Sequence, residues 1–184
     1  MSNFLIALIV PIILGVLFAA AGRAKPIETE DGGYLLEYAK AIKGFGIGFT
    51  LLTLGGLVFL LFQAPIKDKD DMYAVIFLFG FFSLFAIYFY IEFFTVKIWV
   101  GPMGVRGTSG WRGKREYSWE QISEITYSPL SMWFKISSHN MPPLRIHAMI
   151  TGVDKLQAHY MENLPEEKWK SAYEKFSQDK RVNK

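Results

Sequence analysis

The sequence predicts three transmembrane helices followed by a small antiparallel β-barrel or sandwich with C-terminal helices, which is an α+β membrane protein. Three long apolar stretches lie in the first half of the chain, and nothing comparable follows Val100. Beyond Phe94, apolar residues alternate with polar ones at the two-residue period of a half-buried strand. After Val153 the apolar residues return to helical spacing. The mean hydropathy of +0.20 is therefore an average over an apolar half and a polar half.

The three apolar stretches are residues 4–21, 45–63 and 72–91, and none contains a charged residue. A helix that crosses a bilayer needs about 20 apolar residues, so each stretch is long enough to span. The first stretch also resembles a signal peptide, because small residues follow it. A signal peptide usually begins with a positively charged region, and only Met1–Asn3 precedes this one. We therefore interpret residues 4–21 as a retained helix.

The distribution of charge predicts the orientation in the membrane. Lys and Arg near the ends of spans favour the cytoplasm. The loop 22–44 is basic at both ends, and the chain after Thr95 carries 14 Lys and Arg against 9 Asp and Glu. With three spans these two segments lie on the same side, which we predict to be cytoplasmic. The N-terminus and the loop 64–71 then face outward.

Small residues at four-residue spacing predict where the spans pack. The first stretch has Ala7, Gly15 and Ala19 on one helix face, and the second begins with Gly44 and Gly48. Such residues let two helix backbones approach closely in lipid. We predict that they pack the first two spans together, with a hinge or an oligomer seam as the alternative.

Two features at the edge of the membrane half are less determined by the sequence. The segment 34–43 fits either an amphipathic continuation of the second span or an extended element that docks on the cytoplasmic domain. Glu92 follows the core of the third span, where we expect its carboxylate to reach water or Lys97.

The polar half contains six strand signals separated by turns, which is typical of an antiparallel sandwich or barrel. The chain then becomes helical from Val153 to Leu164, and Pro165 opens a second helix before a solvated tail, 178–184. We divide the chain into a membrane domain, 1–94, a barrel domain, 95–164, and a C-terminal helix and tail, 165–184. The predicted strands are 94–100, 105–108, 115–118, 122–127, 133–137 and 144–149.

Three groups of residues carry a resemblance to a known family. They are Val96–Val100 with Gly104-Val105, the strand Tyr117–Ile125 with its Trp119-Glu120 pair, and Ile146 followed by Gly152–Leu156. These spacings resemble the bacterial pleckstrin-homology-like (PH-like) domains. The resemblance covers Thr95 to Leu164 and implies a small barrel attached to one or more membrane spans in a bacterial inner membrane. It implies no particular activity, and it does not account for the helix after Pro165.

The sequence offers no catalytic constellation and no cofactor site, so we predict a protein that is not an enzyme. The chain has no cysteine, which excludes disulfides, zinc thiolate sites and cysteine nucleophiles. His139, His147 and His159 do not stand at a metal-ligand spacing. His147 alternates with buried positions, so we expect it to face solvent.

One basic cluster is the best candidate for recognition, and it follows soon after the third span. Each Lys or Arg held near an anionic leaflet gains about 1 kcal/mol, and a tryptophan fits the headgroup zone. The cluster therefore predicts contact with membrane lipids or a protein partner, although a purely topological role explains the same charges. Its members are Arg106, Trp111, Arg112, Lys114 and Arg115.

The function expected from this sequence is a membrane-anchored interaction module. The alternative is an accessory subunit of a larger inner-membrane complex, assembled through the transmembrane helices or as a homo-oligomer. Nucleic acid is not an expected partner, because the basic cluster is small and faces the bilayer.

Overall fold

A computed structural model describes residues 25–63 and 69–179. The first predicted span, 4–21, lies outside the described residues, together with Ala7, Gly15 and Ala19. The described chain is an α+β protein with two apolar helices and two antiparallel sheets. In order, its elements are β1 (Ile27–Glu28), β2 (Tyr34–Glu37), α1 (Lys40–Gln63), α2 (Lys69–Thr95), β3 (Lys97–Gly101), β4 (Gly104–Ser109), β5 (Gly113–Ser118), a 3-10 turn (Trp119–Gln121), β6 (Ile122–Ser128), β7 (Trp133–Ser138), β8 (Leu144–His147), α3 (Val153–Asn163), a second 3-10 turn (Glu166–Lys168) and α4 (Lys170–Ser177).

Helices α1 and α2 pack against each other as a hairpin. Glycines let the two backbones come close: a Cβ added at Gly46 would lie 3.0 Å from the Phe93 ring, and one at Gly56 would lie 2.9 Å from Phe79. Most of the remaining apolar side chains on both helices are exposed, so the described part of the chain does not bury this hairpin. Among the residues that the structure describes, these two helices are long and apolar enough to cross a membrane.

The segment 34–43, which the sequence leaves open, divides into a strand and a helix. Tyr34–Glu37 forms β2, and α1 begins at Lys40. Strand β2 pairs antiparallel with β3, so that Glu37 lies opposite Lys97 and Leu36 opposite Ile98. The helical hairpin is therefore an insertion between two adjacent strands of one sheet.

The strands form two antiparallel sheets, ordered β1-β2-β3-β4-β5 and β6-β7-β8. All six strands predicted after residue 94 are present, and the antiparallel arrangement is confirmed. Helix α3 closes the space between the sheets. The largest fully buried side chains come from both sheets and from α3: Leu36, Ile98, Val100, Val105, Tyr117, Ile122, Ile125, Phe134, Ile136, Ile146, Leu156 and Tyr160.

Several predicted boundaries were wrong. Helix α2 continues to Thr95, beyond the predicted end at residue 91, and the Val96 amide still bonds to the Glu92 carbonyl. The first strand after it consequently begins at Lys97 and not at residue 94. The apolar alternation from Phe94 extends over too few residues to distinguish the end of a helix from the start of a strand.

The C-terminal segment packs on the domain. Ala172 and Phe176 on α4 are buried, and Trp169 is partly buried. The predicted solvated tail was wrong at Asp179, which is buried and whose carboxylate accepts a hydrogen bond from the Tyr127 hydroxyl at 2.8 Å.

Candidate interaction site at the helix–barrel junction

The β-sheet domain has one end at the helical hairpin and one end away from it, and we call these the proximal and distal ends. Strand β3 leaves α2 at the proximal end and reaches Gly101 at the distal end. The Trp119 indole donates to the Gly101 carbonyl at 3.0 Å, so β6 starts at the distal end just after it. The β4–β5 turn and the β6–β7 turn therefore both lie at the proximal end.

A buried ion pair joins α2 to the β4–β5 turn. Glu92 is only 3% exposed. One guanidinium nitrogen of Arg112, Nη2, donates to both of its carboxylate oxygens at 3.0 Å. The Arg112 guanidinium also lies over the Trp133 ring, with 4.6 Å between its Cζ and the ring centroid. Arg112 neutralises a carboxylate whose burial would otherwise be costly, and it thereby fixes the turn to the helix.

Aromatic side chains surround this pair on the side of β2 and β8. The Tyr38 ring is buried and packs edge-on against Phe93 at 4.9 Å between centroids. Burial, and then the nearby Glu92 carboxylate, raise the pKa of Tyr38 far above its ordinary value, so this phenol stays neutral. We call Tyr38, Glu92, Arg112, Trp133 and His147 the junction cluster.

His147 does not face solvent, contrary to the sequence-based expectation. Its ring meets the Trp133 ring edge-on at 5.0 Å, and its Nδ1 accepts a hydrogen bond from the Met149 amide at 3.2 Å. Burial lowers the pKa of His147 to about 4, so the imidazole is neutral at physiological pH. Burial does alternate along β8, but the rings of Tyr38 and Trp133 cover the outward position that His147 occupies.

The five residues of the predicted basic cluster do not form one patch. Arg112 is occupied by Glu92, and its side chain is 23% exposed. Arg115 donates to the Pro143 carbonyl, which links β5 to the start of β8. Arg106 pairs with Glu116 at 2.8 Å in the middle of the outer sheet face.

The remaining two members stay at the proximal edge of the domain. Trp111 is 51% exposed and stacks on Tyr88 of α2 at 5.8 Å between centroids. Lys114 is exposed and lies 3.7 Å from a carboxylate oxygen of Glu116. These two are the members of the cluster that have solvent-facing side chains next to the helical hairpin.

The small residues predicted to pack helices lie on a different face from the observed seam. Gly44 and Gly48 are exposed, and a Cβ added to either would touch nothing in the described part of the chain. The glycines that contact α2 are Gly46 and Gly56. The predicted partners of Gly44 and Gly48 belong to the first stretch, outside the described residues.

Sequence reasoning missed the pairing of Glu92 with Arg112 and predicted water or Lys97 as the partner of this carboxylate. Lys97 lies 3.5 Å from Glu37, which Lys43 also contacts at 2.7 Å. The lysine contacts lower the pKa of Glu37, with the Lys43 hydrogen bond as the largest cause. The strand order could have predicted this pair. In an antiparallel sheet the β4–β5 turn lies beside the start of β3, so an arginine in that turn lies close to the end of α2.

The junction joins the end of α2 to the β4–β5 turn through the Glu92–Arg112 pair. Among the described residues, no group of three or more His, Asp or Glu side chains is placed to hold a metal ion. Comparison of the chain with protein-family models, with curated proteins and with solved structures finds no match.

Proposed function

We propose that this protein is a membrane-anchored, non-enzymatic interaction module of the bacterial inner membrane. The observation that carries the proposal is the insertion of the α1–α2 hairpin between the paired strands β2 and β3. If the two helices span a bilayer, both ends of the hairpin return to one side, and the barrel must lie against that surface. The Glu92–Arg112 pair then sets the height and tilt of the barrel over the membrane.

The orientation follows from charge. The segments on the barrel side of the hairpin include Lys40, Lys43 and Lys97, whereas the connection at the other end mixes two lysines with three aspartates. By the positive-inside rule the barrel lies in the cytoplasm. Six antiparallel strands followed by a closing helix support the PH-like assignment, with β1 and β2 as additional strands ahead of the hairpin.

The surface proposed for binding is the β4–β5 turn, where Trp111 and Lys114 are exposed next to Tyr88. A tryptophan and a lysine at this height suit an anionic leaflet, because the indole favours the headgroup zone and the ammonium gains about 1 kcal/mol near negative lipid. Arg106, Arg112 and Arg115 have protein partners and hold the surface in place.

The proposal is tested by amide hydrogen exchange on the full chain in nanodiscs of zwitterionic or anionic lipid. We expect slower exchange over residues 110–114 in anionic nanodiscs and loss of that difference in Lys114→Ala. Lys135→Ala, an exposed lysine on β7, is the matched control and should retain it. Equal exchange in both lipids contradicts lipid recognition. Protection that requires added membrane proteins identifies a protein partner instead.

A second candidate is an accessory subunit that assembles through its transmembrane helices. It is favoured by the open glycine face of α1, since Cβ atoms at Gly44, Gly48 and Gly55 would touch nothing among the described residues. Gly48→Leu should then disrupt assemblies seen by native mass spectrometry from mild detergent. Gly80→Leu, on α2 and equally open, is the control. Assemblies that survive Gly48→Leu contradict this candidate.

A further inference from the structure

The tip of the β6–β7 turn carries a leucine in full contact with solvent. Leu130 is 94% exposed, and the turn 129–132 contains no charged residue. We propose that this turn is a second membrane contact, in which Leu130 enters the leaflet from which α2 emerges. The inference rests on the proposed function, because it requires the hairpin to span a bilayer.

The position of the turn follows from a chain of contacts. Ser128 and Trp133 form the last strand pair below the turn. The Arg112 guanidinium lies over the Trp133 ring and also binds Glu92. Glu92 is three residues before the end of α2. The base of the turn thus lies at the level where the helix leaves the membrane. Because β6 runs from the distal to the proximal end, Leu130 lies beyond that base in the direction of the bilayer.

The backbone holds Leu130 outward. Met132 has a left-handed conformation, with φ of 56°, which is uncommon for a residue other than glycine. Its carbonyl accepts a hydrogen bond from the Ala148 amide at 2.8 Å, and its side chain packs against the core. The turn is therefore fixed at Met132, and the two preceding residues extend past it.

A single exposed apolar residue is ordinary on a protein surface, so exposure alone does not identify a contact. Met103, on the β3–β4 turn, is 80% exposed at the distal end and requires no partner. Leu130 differs because a second apolar tip, Trp111, lies at the same end and stacks on Tyr88 of α2. Trp111 extends the apolar surface of the hairpin through its contact with Tyr88, and Leu130 lies at the same end of the domain, which indicates lipid as the occupant rather than a separate protein.

The absence of cysteine from the sequence allows single labels to test the idea in the full chain. Leu130→Cys, Met103→Cys and Leu52→Cys are each labelled with an environment-sensitive fluorophore and placed in nanodiscs with and without quencher-bearing lipids. Leu52 is 74% exposed on α1 and reports on the hairpin itself. We expect blue-shifted emission and strong lipid quenching at positions 52 and 130, and neither at position 103.

The three positions separate the failure of this inference from that of the proposed function. Quenching at 52 without quenching at 130 overturns the membrane contact of the turn and leaves the anchored module intact. A blue shift at 130 that lipid quenchers do not affect also overturns it, because protein then covers the leucine. No quenching at 52 refutes the spanning hairpin and the inference with it. Equal quenching at 103 and 130 also overturns the inference, because the turn is then no closer to lipid than the distal end of the domain.

Discussion

Glu92 illustrates how one carboxylate at the end of an apolar helix organises its surroundings. The residue lies near the end of α2, where the side chain is buried by the barrel. Arg112 satisfies both oxygens, and Trp133 covers the other side of the guanidinium. An arginine suits this position because its planar guanidinium hydrogen-bonds to the carboxylate and stacks on the ring simultaneously. Two distant segments are thereby fixed by one side chain.

Arg112→Ala should destabilise the protein by about 3–5 kcal/mol, because it leaves the Glu92 carboxylate buried without its charged partner. Arg106→Ala is the matched control, since its pair with Glu116 is exposed to solvent and should contribute little to stability. The measurement is thermal unfolding in detergent. The double variant with Glu92→Gln should recover part of the loss, and a loss equal to that of Arg106→Ala would contradict the buried pair.

Acidification should destabilise the fold through His147. Its folded-state pKa of about 4 lies below the ordinary value of 6.5, so only the unfolded state takes up a proton between these values. Stability is therefore retained above pH 6.5 and falls as the pH drops toward 4, by at most about 3 kcal/mol. His147→Gln should flatten this dependence in thermal melts at pH 7 and 5. His139→Gln, at an exposed turn position, should leave it unchanged, and an identical slope in both variants would refute the assignment.

At the scale of elements, α4 protects an edge of the second sheet. Strand β6 is the outer strand of the order β6-β7-β8, and an uncovered edge invites pairing with another chain. The Lys168 ammonium donates to the Ile122 carbonyl at 2.6 Å, and Phe176 packs on Tyr127 and Phe134. The C-terminal helix, which the family resemblance does not explain, is therefore part of the folded domain.

Phe176→Ala should cost about 3–5 kcal/mol, because it removes a buried ring from between two aromatic neighbours. Tyr173→Ala, on the exposed side of the same helix, should cost far less. Chemical denaturation of the detergent-solubilised protein measures both. Similar losses for the two variants would mean that α4 is not docked through Phe176.

The sequence predicts elements well where the signal is periodic and local. Strands β4 to β8 and helix α3 follow from alternation and helical spacing of nearby residues. The sequence does not show whether β2 is a strand or a helix, because four residues of mixed polarity have no clear period. Its partner β3 also lies some sixty residues further along the chain, beyond the hairpin. The Glu92–Arg112 pair was missed for the same reason, since nothing in either local sequence specifies the other residue.

At the scale of the whole molecule, the barrel depends on a strand that precedes the hairpin. Leu36 of β2 is fully buried in the core, and the Thr151 amide and hydroxyl both donate to the Glu37 carbonyl. The hairpin and the sheet therefore depend on each other. The sheet holds both ends of the hairpin, and the hairpin brings β2 and β3 together so that they can pair. Residues 95–184 alone therefore lack two strands of the first sheet, β1 and β2.

A chain of residues 25–184 in which a short Asn-Gly turn replaces residues 40–95 should form a soluble folded domain, because it contains neither the first apolar stretch nor the hairpin. Glu37 and Lys97 lie opposite each other across an antiparallel ladder, so a tight turn can join the strands without altering their register. The isolated segment 95–184 should be unfolded or aggregated, since it lacks Leu36 and leaves β3 as an open edge. Proton–nitrogen NMR spectra of both chains provide the comparison. Well-dispersed peaks from the isolated segment would show that β2 is dispensable, whereas dispersion only in the joined chain establishes that the barrel is formed from both sides of the hairpin.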